Sequence, residues 1–176
     1  MKIILIRHFE VNYRWKMFYN SVGYEMACKE YDQSGVVQSG IRINTEFRII
    51  TSTMIRSIET ARLIFGKEPD SSDDSICEVP IKPFITTMIF PKIIWDVMGR
   101  IQWRLGVKKQ PETYLESIRR VNEFIDKLVL QDQNCIVVCH GWIIKLMIKH
   151  LKLVGFSGPT PFFVKNGVPY EFQKRV

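Results

Sequence analysis

Three short apolar runs in this chain stop abruptly at polar residues. Residues 3–6 (Ile-Ile-Leu-Ile) run into Arg7-His8-Phe9-Glu10. Residues 136–139 (Ile-Val-Val-Cys) run into His140-Gly141. Residues 47–51, interrupted only by Arg48, run through Ser52 to Arg56. Short continuous apolar stretches of this kind read as strands covered on both faces, the habit of a parallel sheet.

Between these runs the apolar period lengthens to that of a helix. Ile55, Ile58, Ala61 and Leu63 predict a helix over 53–65, with Gly66 as its stop. Ile118, Val121, Phe124, Ile125 and Leu128 predict one over 111–130, and two more are expected from Pro91 to about residue 104 and over 141–152. The remaining segments are less regular. Residues 11–32 read as a long aromatic loop with some helix, 33–45 as a short helix and 67–74 as an acidic loop. Residues 76–81 read as a short strand or extended segment, broken by Pro80 and Pro83. Residues 162–164 and 169–172, around Asn166-Gly167, read as a terminal hairpin. Strands alternating with helices predict a three-layer α/β/α sandwich with a mostly parallel central sheet, formed by 1–176 as one domain.

Composition changes this picture little. No apolar run is long enough to span a membrane, and the four side chains before Arg7 are too few for a signal-peptide core. A cytoplasmic protein without a membrane partner is therefore expected. Cys28, Cys77, Cys135 and Cys139 form no CxxC pair and are expected as free thiols, without a metal. The net charge of +7 falls entirely in residues 91–176, since the first ninety are balanced. A basic half suits anionic substrates. No recognition motif or dense Lys/Arg run accompanies it, so nucleic acid is not an expected partner.

The chemistry concentrates at the strand ends. In open α/β sheets ligands collect beyond the carboxyl ends of the strands. There this chain carries two imidazoles, His8 and His140, and two guanidiniums, Arg7 and Arg56. Guanidinium matches two phosphate oxygens at once, and a neutral imidazole held through one nitrogen is a competent nucleophile at phosphorus. His140 also precedes a predicted helix, whose N-terminus offers free N–H groups, and Gly141 lets a ligand approach the backbone. His150, in the last turn of that helix beside Lys149, reads as a capping or solvent-facing residue.

Taken together these segments resemble the histidine phosphatase superfamily, the phosphoglycerate-mutase-like proteins. Arg7-His8-Phe9-Glu10 is similar to the family's Arg-His-Gly-Glu signature. Ser52 through Arg56 to Thr60-Ala61 is similar to its Ser-x-x-x-Arg-x-x-x-Thr-Ala segment. Val137-Val138-Cys139-His140-Gly141 is similar to its second-histidine strand. The resemblance implies that His8 is a nucleophile that becomes phosphohistidine, and that Arg7, Arg56 and His140 bind phosphoryl oxygens. It implies that Glu78 is the proton donor, with Glu10 as the rival acid, and that neither metal nor other cofactor takes part. The expected activity is hydrolysis of a small phosphate monoester. The alternatives are a phosphomutase and a catalytically inactive phosphate-binding or regulatory module of the same fold. The inactive alternative draws on Phe9, which stands where the family has glycine and could narrow the pocket or point away. Residues 84–106 and 13–19 are expected either as an apolar wall or lid over the site or as plain core.

Overall fold

The computed structural model describes residues 1–37, 40, 42–84 and 87–174. In chain order the elements are β1 (Lys2–Arg7), β2 (Phe18–Tyr19), α1 (Ser21–Gln33), β3 (Arg48–Thr51), α2 (Ile55–Phe65), β4 (Ser71–Ser72) and β5 (Phe90–Pro91). They continue with α3 (Lys92–Arg104), α4 (Tyr114–Gln131), β6 (Cys135–Cys139), α5 (Gly141–Leu153), β7 (Phe156–Ser157) and β8 (Pro169–Lys174). The central sheet has the order β4-β3-β6-β1-β8-β7. β4, β3, β6 and β1 are mutually parallel, and β8 runs antiparallel to β1 and β7. β2 and β5 pair separately as a two-stranded ribbon.

Period-two alternation sends each central strand's side chains into two cores. Leu5, Ile50, Val137 and Cys139 join Val121, Ile125, Ile144 and Met147 from α4 and α5 on one face. Ile6, Ile49, Ile136 and Val138 join Ala61 and Ile64 from α2 on the other. This is the expected three-layer sandwich. A third, aromatic cluster of Tyr19, Tyr24 and Trp95 fixes α3 against α1. Local signals set the helix ends. Thr113 and Glu116 form a reciprocal capping box at the start of α4, and Gly66 takes the left-handed conformation (φ 65°) that stops α2.

Three expectations are corrected. The helix expected over 33–45 lies earlier, as α1. Tyr24, Ala27, Cys28 and Tyr31 have helical spacing that the surrounding aromatics disguise, and Asn20 caps Gly23 N–H at 2.8 Å. After α1 the chain extends, with Val36 N–H donating to Glu59 Oε2 at 2.9 Å and Gly35 so close to the same carboxylate that a Cβ would meet Oε2 at 2.9 Å. Residues 38, 39 and 41 of that expected helix lie outside the described residues. Over 76–81 the strand alternative does not form; the segment is a 3₁₀ turn (Asp74–Ile76) followed by an unpaired extended strap, the other alternative. Pro80 has no N–H to give a ladder, and the backbone is satisfied by side chains instead: Gln110 bonds both N–H and C=O of Lys82, and Arg100 reaches the Val79 carbonyl. The terminal hairpin does not form. Residues 162–164 make no strand; the Val164 carbonyl accepts from Arg7, and β8 pairs with β1 and β7.

Candidate active site

The parallel register β3-β6-β1 brings the three polar strand ends together. Arg7 lies opposite Cys139, and His8 N–H donates to the Cys139 carbonyl at 2.9 Å, so His8 and His140 are neighbours. Their ring centroids are 5.1 Å apart. Arg56, one residue into α2, reaches the same edge, its Nε donating to His140 Nδ1 at 3.3 Å. All three side chains are buried. Arg7 lies against the N-terminus of α5, where a Cβ on Gly141 would meet its Nε at 3.4 Å. That Nε is buried without a hydrogen-bond partner.

The hydrogen bonds settle which nitrogen of each ring carries the proton. His8 Nδ1 sits 2.6 Å from the Phe9 carbonyl, which can only accept, so Nδ1 is the protonated atom and Nε2 holds the free lone pair. His140 is the reverse. Its Nδ1 accepts from Arg56, so Nε2 carries the proton and donates to Ser52 Oγ at 2.8 Å, which in turn donates to Ser57 Oγ. Burial, with the charges of Arg56 and Arg7, pushes His8 down from an ordinary 6.5 to about 3. Burial, then Arg56 and His8, holds His140 well below the usual range as well. Both rings are therefore neutral near pH 7. Two guanidiniums and a helix N-terminus converge on them, a concentration of positive charge suited to an anion.

One carboxylate already answers that charge. Asp32 Oδ1, at the end of α1, accepts from Arg56 Nη1 at 2.8 Å, while the Tyr31 ring lies under the same guanidinium. Neither Asp32 nor Tyr31 stood out in the sequence. Asn166 was read only as a turn residue, yet its Nδ2 donates to the His8 carbonyl at 2.6 Å. Thr60, on α2, accepts from Phe9 N–H at 2.9 Å and so ties α2 to the His8 segment. Its side chain was visible only as part of the Thr-Ala pattern.

Phe9 points away from the site. Its ring packs in the α2-side core, over Gly167, where a Cβ would come within 2.5 Å of the ring. The space that glycine ordinarily gives at position 9 is supplied from the other side by Gly167, whose φ of 69° a larger residue would resist.

A cavity of about 660 Å³ opens from Arg7, His8 and Arg56. Its far walls carry Trp15, Trp103 and Trp142 with Lys92, Arg100 and Arg104, so residues 84–106 and 13–19 supply wall as well as core. Arg100 lies over the rings of both Trp103 and Trp142, at 5.6 and 5.1 Å. Glu78, on the strap, also lines the cavity. The strap crosses α3 at Gly99, where a Cβ would meet Ile81 at 2.1 Å; this close crossing seats Glu78 on the wall. Glu10 is exposed and is not among the lining residues. His150 is remote from the site, in the last turn of α5, where its carbonyl accepts the Val154 N–H that closes the helix and its Nε2 pairs with Asp126 at 2.7 Å. Among the described residues no group of three His, Cys, Asp or Glu is arranged to hold a metal, and all four cysteines are free.

The sheet order, the two strand-end histidines and the arginine of α2 define a protein of the phosphoglycerate-mutase-like fold. The profile of the histidine phosphatase superfamily (branch 1) matches residues 3–168, and the chain belongs to that superfamily. Among solved structures, the alpha-ribazole phosphatase from Shigella flexneri superposes with a TM-score of 0.63 at 19% identity, covering 100% of this chain and 95% of that one. A phosphoglycerate mutase from Bacillus anthracis str. Sterne gives 0.61 at 18% identity, covering 98% and 88%. No curated protein matches in sequence.

Proposed function

We propose that the protein hydrolyses phosphate monoesters through a phosphohistidine on His8. The observation that carries this reading is the free Nε2 of a neutral, buried His8, held through Nδ1 beside two guanidiniums. In the first step Nε2 forms a bond to phosphorus while the bond from phosphorus to the alcohol oxygen breaks, and Glu78 gives that oxygen its proton. In the second, Glu78 takes a proton from water as the water oxygen attacks phosphorus and the P–N bond breaks. Arg7, Arg56 and His140 neutralise the charge on the phosphoryl oxygens throughout. This is the contribution that matters most when phosphoryl transfer depends on positioning and electrostatics. To donate to phosphate His140 takes its other tautomer: Nε2 gives its proton to water, Nδ1 takes one from water as Arg56 turns to the anion, and Ser52 turns to donate to the freed Nε2.

The cavity supports a substrate class. Its volume suits a ligand of drug size rather than a three-carbon acid, and indole faces alternating with cations favour a planar or aromatic alcohol portion. A phosphatase reading is therefore preferred over a mutase acting on a small acid. The inactive-module alternative loses its main support, because Phe9 does not intrude on the site. The test is hydrolysis of a generic aryl phosphate without added metal. The wild-type chain should turn over, and His8→Ala should lose at least about 10⁴-fold in kcat. Equal rates in the two proteins would end the proposal.

A further inference from the structure

Helix α3 carries apolar side chains on both faces. Its inner stripe, Trp95, Gly99 and Trp103, is buried, as expected for a surface helix. Its outer stripe is also apolar: Ile93, Ile94, Val97, Met98, Ile101 and Leu105 recur at helical spacing and all are exposed, Ile93 at 62% and Leu105 at 74%. A helix apolar on both faces is expected to be covered on both. The patch continues onto the ribbon, where Phe18 pairs with Pro91 and lies beside Met17, both exposed. Isolated exposed apolar residues need no explanation, but a contiguous stripe of this size marks an interaction surface.

The charges around the patch identify what covers it. Exposed Arg14 and Lys16 precede the ribbon, and exposed Arg104, Lys108 and Lys109 lie at and beyond the end of α3. Between residues 87 and 110 five Lys or Arg stand against a single acid, Asp96. Asp96 is turned inward, accepting from Tyr24 and pairing with Lys92. A second copy of the chain would bring these cations against their own images, so self-association through this face is opposed. An anionic lipid surface meets both features at once, taking apolar side chains at the level of the acyl chains and cations at the headgroups.

We propose that α3 and the β2–β5 ribbon form a docking face for an anionic lipid bilayer. The helix lies in the plane of the interface; no helix among the described residues is long and apolar enough to cross a membrane, and none is needed. Val97, Ile101 and Arg104 belong both to this side of α3 and to the cavity wall, so docking sets the cavity beside the lipid headgroups. An amphiphilic phosphate ester can then enter from the bilayer. The lipid-binding claim stands independently of the catalytic reading.

The test is flotation of the full chain with vesicles of phosphatidylcholine alone and of phosphatidylcholine mixed with phosphatidylglycerol. Binding is expected to the mixed vesicles only, and to weaken as salt is raised. Ile93 and Leu105 do not line the cavity, and the double variant Ile93→Glu/Leu105→Glu should lower the bound fraction at least about tenfold with its thermal midpoint unchanged. If that variant fails to fold, Lys108→Glu/Lys109→Glu should give the same loss, because those residues lie beyond the helix. No binding to the mixed vesicles would overturn the proposal, as would equal binding to both compositions or undiminished binding by variants that fold. A wild-type dimer in sedimentation velocity that Ile93→Glu/Leu105→Glu dissociates, without vesicle binding, would assign the face to a second copy instead.

Discussion

His8 and His140 end adjacent parallel strands, are equally buried and face each other across 5.1 Å, yet their rings are wired in opposite senses. The Phe9 carbonyl takes the proton of His8 Nδ1 and frees Nε2. The Arg56 guanidinium takes the lone pair of His140 Nδ1, and the Ser52–Ser57 hydroxyls take the proton of Nε2. Strand position and burial are shared, so neither decides the roles. In the proposed mechanism the partner of the second ring nitrogen does: the carbonyl leaves His8 Nε2 free to attack, and the guanidinium keeps His140 Nδ1 at the anion site.

The sharpest way to break this comparison is to remove each ring in turn. His8→Ala should abolish turnover, whereas His140→Ala should keep a measurable rate, lower by about 10²–10³-fold in kcat, the usual cost of one donor to a developing anion. Steady-state kinetics on an aryl phosphate distinguish the two. Equal losses would mean that the rings share one role.

The next effect depends on the substrate. Glu78→Gln should slow phosphorylation of the protein by alkyl phosphates by about 10²-fold or more and barely slow phosphorylation by an activated aryl phosphate, whose leaving group needs no proton, while release of phosphate slows equally for both. Glu10→Gln should change neither. If Glu10 gives the leaving-group dependence and Glu78 does not, the strap is not the source of the acid.

These assignments show how unevenly the sequence disclosed its site. Arg7, His8, Arg56 and His140 are readable because each lies at or shortly after the end of a buried strand; the order of those strands in the sheet is not legible from the sequence. The strap carrying Glu78 is legible only as strand or extended segment, because its apolar residues serve a crossing over Gly99 rather than a ladder. Asp32 and Asn166 were invisible, since what they touch lies 24 and 158 residues away. α1 falls where some helix is expected, but its bounds are not legible for a different reason: its apolar positions are aromatic residues and small ones, Ala27 and Cys28, at helical spacing inside a stretch rich in charge. Phe9 was legible as a departure from the family pattern, but only Gly167, far along the chain, explains why the departure is tolerated.

Asp32 sharpens the comparison from the anion's side. Its carboxylate holds the guanidinium that phosphate must also use. Asp32 is about half exposed, so the pair is partly screened and the gain from removing it is modest. Asp32→Asn should tighten inhibition by inorganic phosphate or vanadate by a few-fold to about tenfold. Weaker inhibition in the variant would instead make Asp32 a support that orients Arg56 for the anion.

A further effect lies in the pH dependence of stability. His8 binds its proton at about 3 when folded and near 6.5 when unfolded. Between those values the unfolded chain holds more protons, so stability is full above about 6.5 and falls as the pH drops toward 3, with a slope of up to ~1.4 kcal/mol per pH unit from this residue. Urea denaturation across that range should show a shallower acid limb in His8→Gln than in the wild type. An unchanged limb would place the acid sensitivity elsewhere.

The central claim is that His8 attacks through Nε2, and the direct measurement is the site of phosphorylation in the trapped intermediate. Glu78→Gln, mixed with excess aryl phosphate and quenched in base, should carry acid-labile phosphate on His8, and phosphorus NMR of the isolated peptide should give the Nε2 isomer. His140→Ala should carry the same label. Phosphate on His140, or on Nδ1 of His8, would contradict the hydrogen-bond assignment on which the account rests.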